Sequence, residues 1–225
     1  MLLSERENRI LGFLVRDYIK TAEPVSSSRI REGLKLGESP ATIRNIVADL
    51  DDSGFLEQPH TSAGRVPTDT AYRYFVDHLM SEIEPEKSLI LEVRRQLARQ
   101  EEETSRFLAE ALNLLSFSSF NGSRFKGYGL SYLLEEPEFS KNDNVRDAGY
   151  LVDHINDIAE LYTHRARESQ EIFIGRENPL KCAHEFGVFY LASDRQRPRT
   201  IILVGPKRMN YERVSGYINY ILEEI

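Results

Sequence analysis

The sequence predicts an α+β protein in three parts: a helical N-terminal domain closed by a small hairpin (1–83), a long charged helix (84–118) and a smaller α+β domain (119–225). Three observations carry this. Ser39-Pro40 opens a stretch whose apolar residues recur at helical spacing, and Phe55–Gln58 then alternates like a strand. Residues 87–116 are rich in Glu, Arg, Gln and Leu, with apolar positions stepping by threes and fours. Beyond residue 119, short strand-like runs such as EIFIG mix with amphipathic stretches.

Composition narrows the function classes. The chain has 225 residues, 40% hydrophobic and 29% charged, an ordinary globular balance with room for one large domain or two small ones. No apolar run approaches the ~18 residues that span a bilayer, so no membrane is expected. MLLSEREN lacks the pattern of a signal peptide. Cys182 is the only cysteine, which excludes a disulfide framework or thiolate cluster and fits a reducing cytoplasm. The net charge of −7 argues mildly against nucleic acid, and the first 80 residues hold 10 Lys+Arg against 12 Asp+Glu. Only between Ser26 and Ala48 do Arg29, Arg31, Lys35 and Arg44 outnumber the acids, Glu32 and Glu38. Any nucleic-acid footprint is therefore thin, with few phosphate contacts and a shallow salt dependence.

Residues 3–20 read as an amphipathic helix with Ile10, Leu11, Leu14, Val15, Tyr18 and Ile19 inward. Ser4 and Glu7 stand at capping-box spacing. After the turn at 21–24, a second helix begins near Ser26–Ser28 and brings Ile30 and Leu34 inward; Gly37-Glu38 ends it. In the third helix Ser39 caps and Pro40 suits the first position, where an N–H would be unpaired anyway. Ile43, Ile46, Val47 and Leu50 form its apolar stripe, leaving Ala41, Thr42, Arg44, Asn45 and Ala48 opposite. Ser53-Gly54 stops it. Residues 55–58, the turn 61–64 and the return 65–68, with Pro67 tolerable only at an edge, make a hairpin. This is the order of a winged helix–turn–helix, whose third helix enters the major groove of DNA. On the pattern alone, a solvated Arg-Asn face is an equal reading.

The residues add a resemblance. SPATIRN, the string LEQPHTSAGRVPT and YRYFVDHLM resemble the HrcA family of heat-inducible transcription repressors closely over residues 2–80. GLSYLLEEPEF and GPKRMNYERV extend the similarity, more loosely, over 127–225. The resemblance implies a homodimer on an inverted-repeat DNA operator upstream of chaperone operons, with regulation by a GroE-type chaperonin and a GAF-like C-terminal domain. It places base readout on Thr42, Arg44 and Asn45, beside Ser39 and Ala41. The hairpin residues Gln58, His60, Thr61, Ser62, Gly64 and Arg65 would meet phosphate or the minor groove, and Ser26, Ser28, Arg29 and Arg31 would anchor the backbone.

Further along, Thr68 caps a helix in which Tyr72 and Tyr74 read as core rather than as base-stacking platforms. On the long helix, Ile90, Val93, Leu97, Leu108 and Leu115 form a candidate dimerisation seam, interrupted by Gln100 and Thr104. The alternative, a helix packed on its own domain, stays open. Residues 117–128 read as a linker, 129–134 as a helical turn, and 146–168 as one helix with Leu151, Ile155, Ile158, Leu161 and Tyr162 inward. Strands are expected at 171–175, 182–192 and 200–205, and Asn210 caps a last helix. Relative to the family, the chain is short by about a hundred residues between the long helix and GLSYLLEEPEF. The GAF-like domain is thus expected to be reduced, with exposed sheet edges that contribute to a dimer interface.

No catalytic or metal-binding pattern emerges, and neither an enzyme nor a cofactor is expected. The five histidines are scattered. Asp51-Asp52 reads as solvated and Cys182 as a core residue opening a strand. Gly205-Pro206-Lys207-Arg208 is either an anion site before a helix or, preferably, a turn with solvated cations. The alternative function is a winged-helix regulator controlled by a small effector bound in the C-terminal domain.

Overall fold

The computed structural model describes residues 2–35, 39–59, 64–81, 83–84, 104–140, 142–166, 169–193 and 199–224. They fall into two compact units, 1–81 and 82–225. The class is mixed, with helices and antiparallel sheets in both.

In the first unit α1 (Glu5–Thr21) begins at a reciprocal capping box. The Glu7 N–H donates to the Ser4 hydroxyl, and the Ser4 N–H donates to the Glu7 carboxylate at 2.7 Å. Those bonds hold the Glu7 carboxyl below its usual range. α2 (Ser27–Leu34) is capped by Ser26, and α3 (Pro40–Asp52) by Ser39, whose hydroxyl accepts from the Thr42 N–H at 3.1 Å. Ile10, Leu11, Leu14 and Val15 meet Ile30, Ile43, Val47 and Leu50 in the core. Each such burial is worth roughly 1.5–3 kcal/mol before entropy is counted.

Gly54 follows α3 at φ +77°, and the chain enters a short antiparallel pair, β1 (Leu56–Glu57) with β2 (Val66–Pro67). Thr68 caps α4 (Asp69–Tyr74), which continues as one π turn, Phe75–Leu79. Tyr72 and Tyr74 are buried, as expected. The Tyr74 hydroxyl donates to Asn8 Oδ1 at 2.9 Å and accepts the Leu3 N–H at 3.1 Å, fastening this helix to the start of α1.

The second unit holds α5 (Thr104–Leu112), β3 (Leu115–Phe120), β4 (Lys126–Tyr128), α6 (Leu130–Glu135), α7 (Asn142–Asp153) and α8 (Ile155–Arg165). β5 (Gln170–Ile174), β6 (Phe186–Ser193), β7 (Arg199–Pro206) and α9 (Tyr211–Glu224) follow among the described residues. The strands form one antiparallel sheet in the order β4-β3-β7-β6-β5. Leu115, Phe117, Phe173, Val188, Tyr190, Ile202 and Val204 pack one face onto Leu151, Ile155, Ile158 and Tyr162 of α7 and α8. On the other face Ser118 is hydrogen-bonded at 2.5 Å to Ser105 of α5. Met209, just ahead of α9, lies against Gly187 and Gly205. Both faces are covered, which is why β3 and β7 read as buried runs rather than alternating ones.

Several expectations are corrected. Helix α5 ends at Leu112, where Asn113 takes a left-handed conformation (φ 54°) and the Leu114 N–H returns to the Ala109 carbonyl. Leu115 is therefore on a strand, and Leu115 and Leu108 are buried in their own unit rather than on a dimer seam. The other seam residues, Ile90, Val93 and Leu97, lie outside the described residues. The expected linker 117–128 is a hairpin, β3–β4, so the sheet has five strands rather than three. The helix expected at 146–168 is two, broken at His154, and Leu161 is 41% exposed. Cys182 sits in a short 3-10 turn, Lys181–Ala183, ahead of β6.

Candidate nucleic-acid interface

The geometry of the first unit separates α3 into two faces. Ile43, Val47 and Leu50 are buried, and Ile46 is half-buried. Ser39, Ala41, Arg44, Asn45 and Ala48 are exposed. Thr42 is half-buried, its hydroxyl 2.9 Å from that of Ser39. Over its first turns the outward face of α3 thus presents one cation, one amide and small residues, while Asp49 and Asp52 are exposed towards its C-terminal end. Arg44 and Asn45 offer the two side-chain types that pair bidentately with guanine and adenine edges.

Around this helix the anchor residues are partly spoken for. Ser26 caps α2 through the Arg29 N–H, so its hydroxyl already serves the protein. Ser28 and Arg31 are exposed. Arg29 is engaged by Asp17 at 2.8 Å and Glu23 at 3.4 Å, which makes it a brace between α1 and α2 before it is a phosphate contact. In the hairpin, Gln58 is exposed and Gly64 half-buried; His60, Thr61 and Ser62 lie outside the described residues.

Arg65 is the best-defined member. Its backbone exchanges two hydrogen bonds with Val25, N–H to carbonyl at 3.0 Å and carbonyl from N–H at 2.9 Å. Its Nε donates to Asp51 Oδ2 at 2.8 Å. Asp51 is therefore paired rather than simply solvated, and it was not singled out from sequence as a site residue. Its partner lies 14 positions away, and only the fold brings them together. Gly64 makes the close approach possible: a Cβ there would lie 2.4 Å from the Val25 carbonyl carbon and oxygen.

The second unit's polar groups are largely committed to structure. Arg208, ahead of α9, binds Glu138 at 2.5 Å and is also bonded to Glu136; Lys207 pairs with Glu185 at 3.5 Å. Burial depresses the Arg208 guanidinium, but the hydrogen bonds and charges of Glu138 and Glu136 outweigh it and raise it overall. The cations of this turn are thus ion-paired, correcting the expectation that they are solvated. An open groove of about 780 Å³ is lined by Asp143, Asp147, Asp153, Tyr150 and Cys182, among others. Burial and then Asp143 raise the Asp147 carboxyl, while burial and then Asp147 raise the Cys182 thiol, which is the direction away from a reactive thiolate. Among the described residues no three His, Cys, Asp or Glu side chains are placed to share a metal ion, and no helix is long and apolar enough to cross a membrane.

Comparison with known proteins gives a consistent answer. The family described as HrcA protein C terminal domain matches residues 72–215. The heat-inducible transcription repressor HrcA of Pelotomaculum thermopropionicum is 50% identical over 111 residues, 49% of this chain but only 28% of that protein. The heat-inducible transcription repressor HrcA of Chlorobium phaeobacteroides is 26% identical over an alignment of 345 residues that covers 99% of this chain and 97% of its own. An alignment of that length against 225 residues means that the relative carries more than a hundred residues without a counterpart here. Among solved structures, a crystal structure titled only as a hypothetical protein at 2.2 Å resolution matches with a TM-score of 0.78 at 19% identity, covering 99% of this chain and 96% of that one. At that identity it speaks for the fold alone.

Proposed function

The chain belongs to the HrcA family, and on that premise we propose that it is a DNA-binding transcription repressor whose first unit is a winged helix–turn–helix. One observation carries the reading. α3 buries Ile43, Val47 and Leu50 and turns Arg44 and Asn45 outward, beside a hairpin whose base is locked to the starts and ends of neighbouring helices. A short helix with a clear outer face next to a braced hairpin is what major-groove reading requires.

In this proposal Thr42, Arg44 and Asn45 read bases, with Ser39 and Ala41 lining the approach. Ser28 and Arg31 contact the backbone, and Gln58, His60, Thr61, Ser62 and Arg65 meet phosphate or the minor groove. The operator is an inverted repeat upstream of chaperone genes, bound by a homodimer, because two identical reading heads need a two-fold site. The second unit, with its five-stranded sheet, is the reduced GAF-like domain. A GroE-type chaperonin would hold the repressor active, and its diversion to unfolded proteins on heating would release the genes. The relatives' name, heat-inducible transcription repressor, supports heat-linked repression for them and says nothing of the chaperonin.

The test is fluorescence anisotropy on two labelled duplexes, one carrying the inverted repeat and one with the same bases scrambled, across a salt series. Preference for the repeat by ~10³-fold or more, at two chains per duplex, is the expected result. Equal, weak, salt-labile binding to both would remove the operator-specific reading.

A further inference from the structure

Arg65 joins three parts of the first unit. Its backbone is bonded in both directions to Val25, one residue ahead of the Ser26 cap of α2. Its side chain reaches across to Asp51 in the last turn of α3 through Nε alone, at 2.8 Å. Among the described residues, Nη1 and Nη2 take no partner. The pair is neither buried nor fully solvated, with Arg65 23% and Asp51 29% exposed. A guanidinium is planar, so an acceptor fixed at Nε restricts the whole plane and leaves the terminal nitrogens as a preset pair of donors.

We infer that Asp51 is a positioning residue for nucleic-acid binding: it holds the Arg65 guanidinium by Nε so that the terminal nitrogens meet a single DNA backbone phosphate. This rests on the proposed DNA-binding reading and adds to it. A carboxylate near DNA is repelled by phosphate and would ordinarily weaken binding. Here it strengthens binding, because an unheld arginine on a hairpin must lose its rotamer freedom on contact, and a held one has lost it already. Val25 and Gly64 serve the same end. The backbone bridge places the Arg65 Cα, and only a residue without Cβ at 64 lets the two backbones close.

The sign of the effect separates the two readings. The parent chain, Asp51→Ala, Asp51→Asn, Arg65→Ala and the double variant Asp51→Ala/Arg65→Ala are titrated onto one labelled duplex carrying the inverted repeat, at several salt concentrations. Arg65→Ala should lower the slope of log affinity against log salt by about 1, the loss of one phosphate contact. Asp51→Ala should weaken binding about five- to tenfold while keeping the parent's slope, and should cost nothing further once Arg65 is gone. Asp51→Asn keeps an acceptor and should fall between the parent and Asp51→Ala; it also serves if the alanine variant melts near assay temperature. Binding by Asp51→Ala equal to or tighter than the parent would overturn the inference, as would full additivity in the double variant. If the parent itself shows no DNA binding at low salt, the underlying repressor reading fails, and that outcome is recognisable before any variant is made.

Discussion

Asn178 gives the sharpest test of how the second unit holds together. Its side chain is buried, and every polar atom on it is used. Oδ1 accepts from the Tyr162 hydroxyl at 2.8 Å, and Nδ2 donates to the carbonyls of Gly175, Ala183 and Phe186 at 2.9, 2.9 and 3.0 Å. One amide thus closes the path from β5 through two 3-10 turns into β6 and ties it to α8. Asn178→Ala leaves one hydroxyl and three carbonyls without that partner in a site closed to water. The three carbonyls share two N–H hydrogens, so with the Tyr162 bond the amide supplies three full bonds; at about 1 kcal/mol net for each, with the desolvation cost of the abandoned groups added, the loss is about 3–5 kcal/mol. That is a large share of the 5–15 kcal/mol typical of a domain. Tyr162→Phe removes a single bond and should cost only about 1 kcal/mol. Urea unfolding followed by tyrosine fluorescence, which the absence of tryptophan makes clean, reads both midpoints at comparable m. Equal losses in the two variants, or less than 1 kcal/mol for Asn178→Ala, would refute the claim that the amide is the hub.

Three further outcomes are expected. Arg44→Ala should cost about 1–3 kcal/mol on the operator and relax discrimination at one position, whereas Arg31→Ala should weaken all duplexes alike; competition anisotropy with operator and random DNA distinguishes them. Gly64→Val forces the hairpin off Val25 and should lower both thermal stability and DNA affinity, which circular dichroism and anisotropy report separately. Asp147, whose carboxyl is raised by burial and by Asp143, is more readily protonated folded than unfolded, so its ionisation destabilises the fold as pH rises past its ordinary value. Asp147→Asn should therefore raise the melting temperature at neutral pH, with the gain shrinking towards zero in acid as the parent's carboxyl protonates.

The first unit was legible because its signals are local. Ser4, Ser39-Pro40, Gly54 and Thr68 each mark a helix boundary through a bond to a residue at most a few positions away. Apolar spacing then identifies the buried face of α3. What could not be read there was pairing: Asp51 with Arg65, or Val25 with Arg65, is decided by the fold. In the second unit the misreading at 113–128 has a definite cause. Leu115–Phe120 (LSFSSF) carries three serines and no β-branched residue, so only Phe117 and Phe120 favour a strand; it is a strand because β7 pairs with it and α5 supplies a hydroxyl partner. Two signals were present nonetheless. Asn113 is a helix stop, and Asn121-Gly122 is the pair that favours a tight hairpin turn.

That last pair reaches beyond the reading of the sequence. Asn121 and Gly122 both have positive φ, at 52° and 72°, and the Ser123 N–H bonds to the Phe120 carbonyl at 2.9 Å, so the chain leaving β3 reverses at these two residues and the connection to β4 is only 121–125. Closing a flexible loop costs more the longer it is, about 0.6 kcal/mol for each doubling. A connection of about a hundred residues at this point, without structure of its own, would cost the sheet roughly 2.5 kcal/mol more than this short one does. The turn also makes the first strand pairing a local event, formed on the microsecond scale of hairpins rather than after a long search. In this chain β3 can therefore be ready as a template when β7, some eighty positions later, arrives to pair along its other edge.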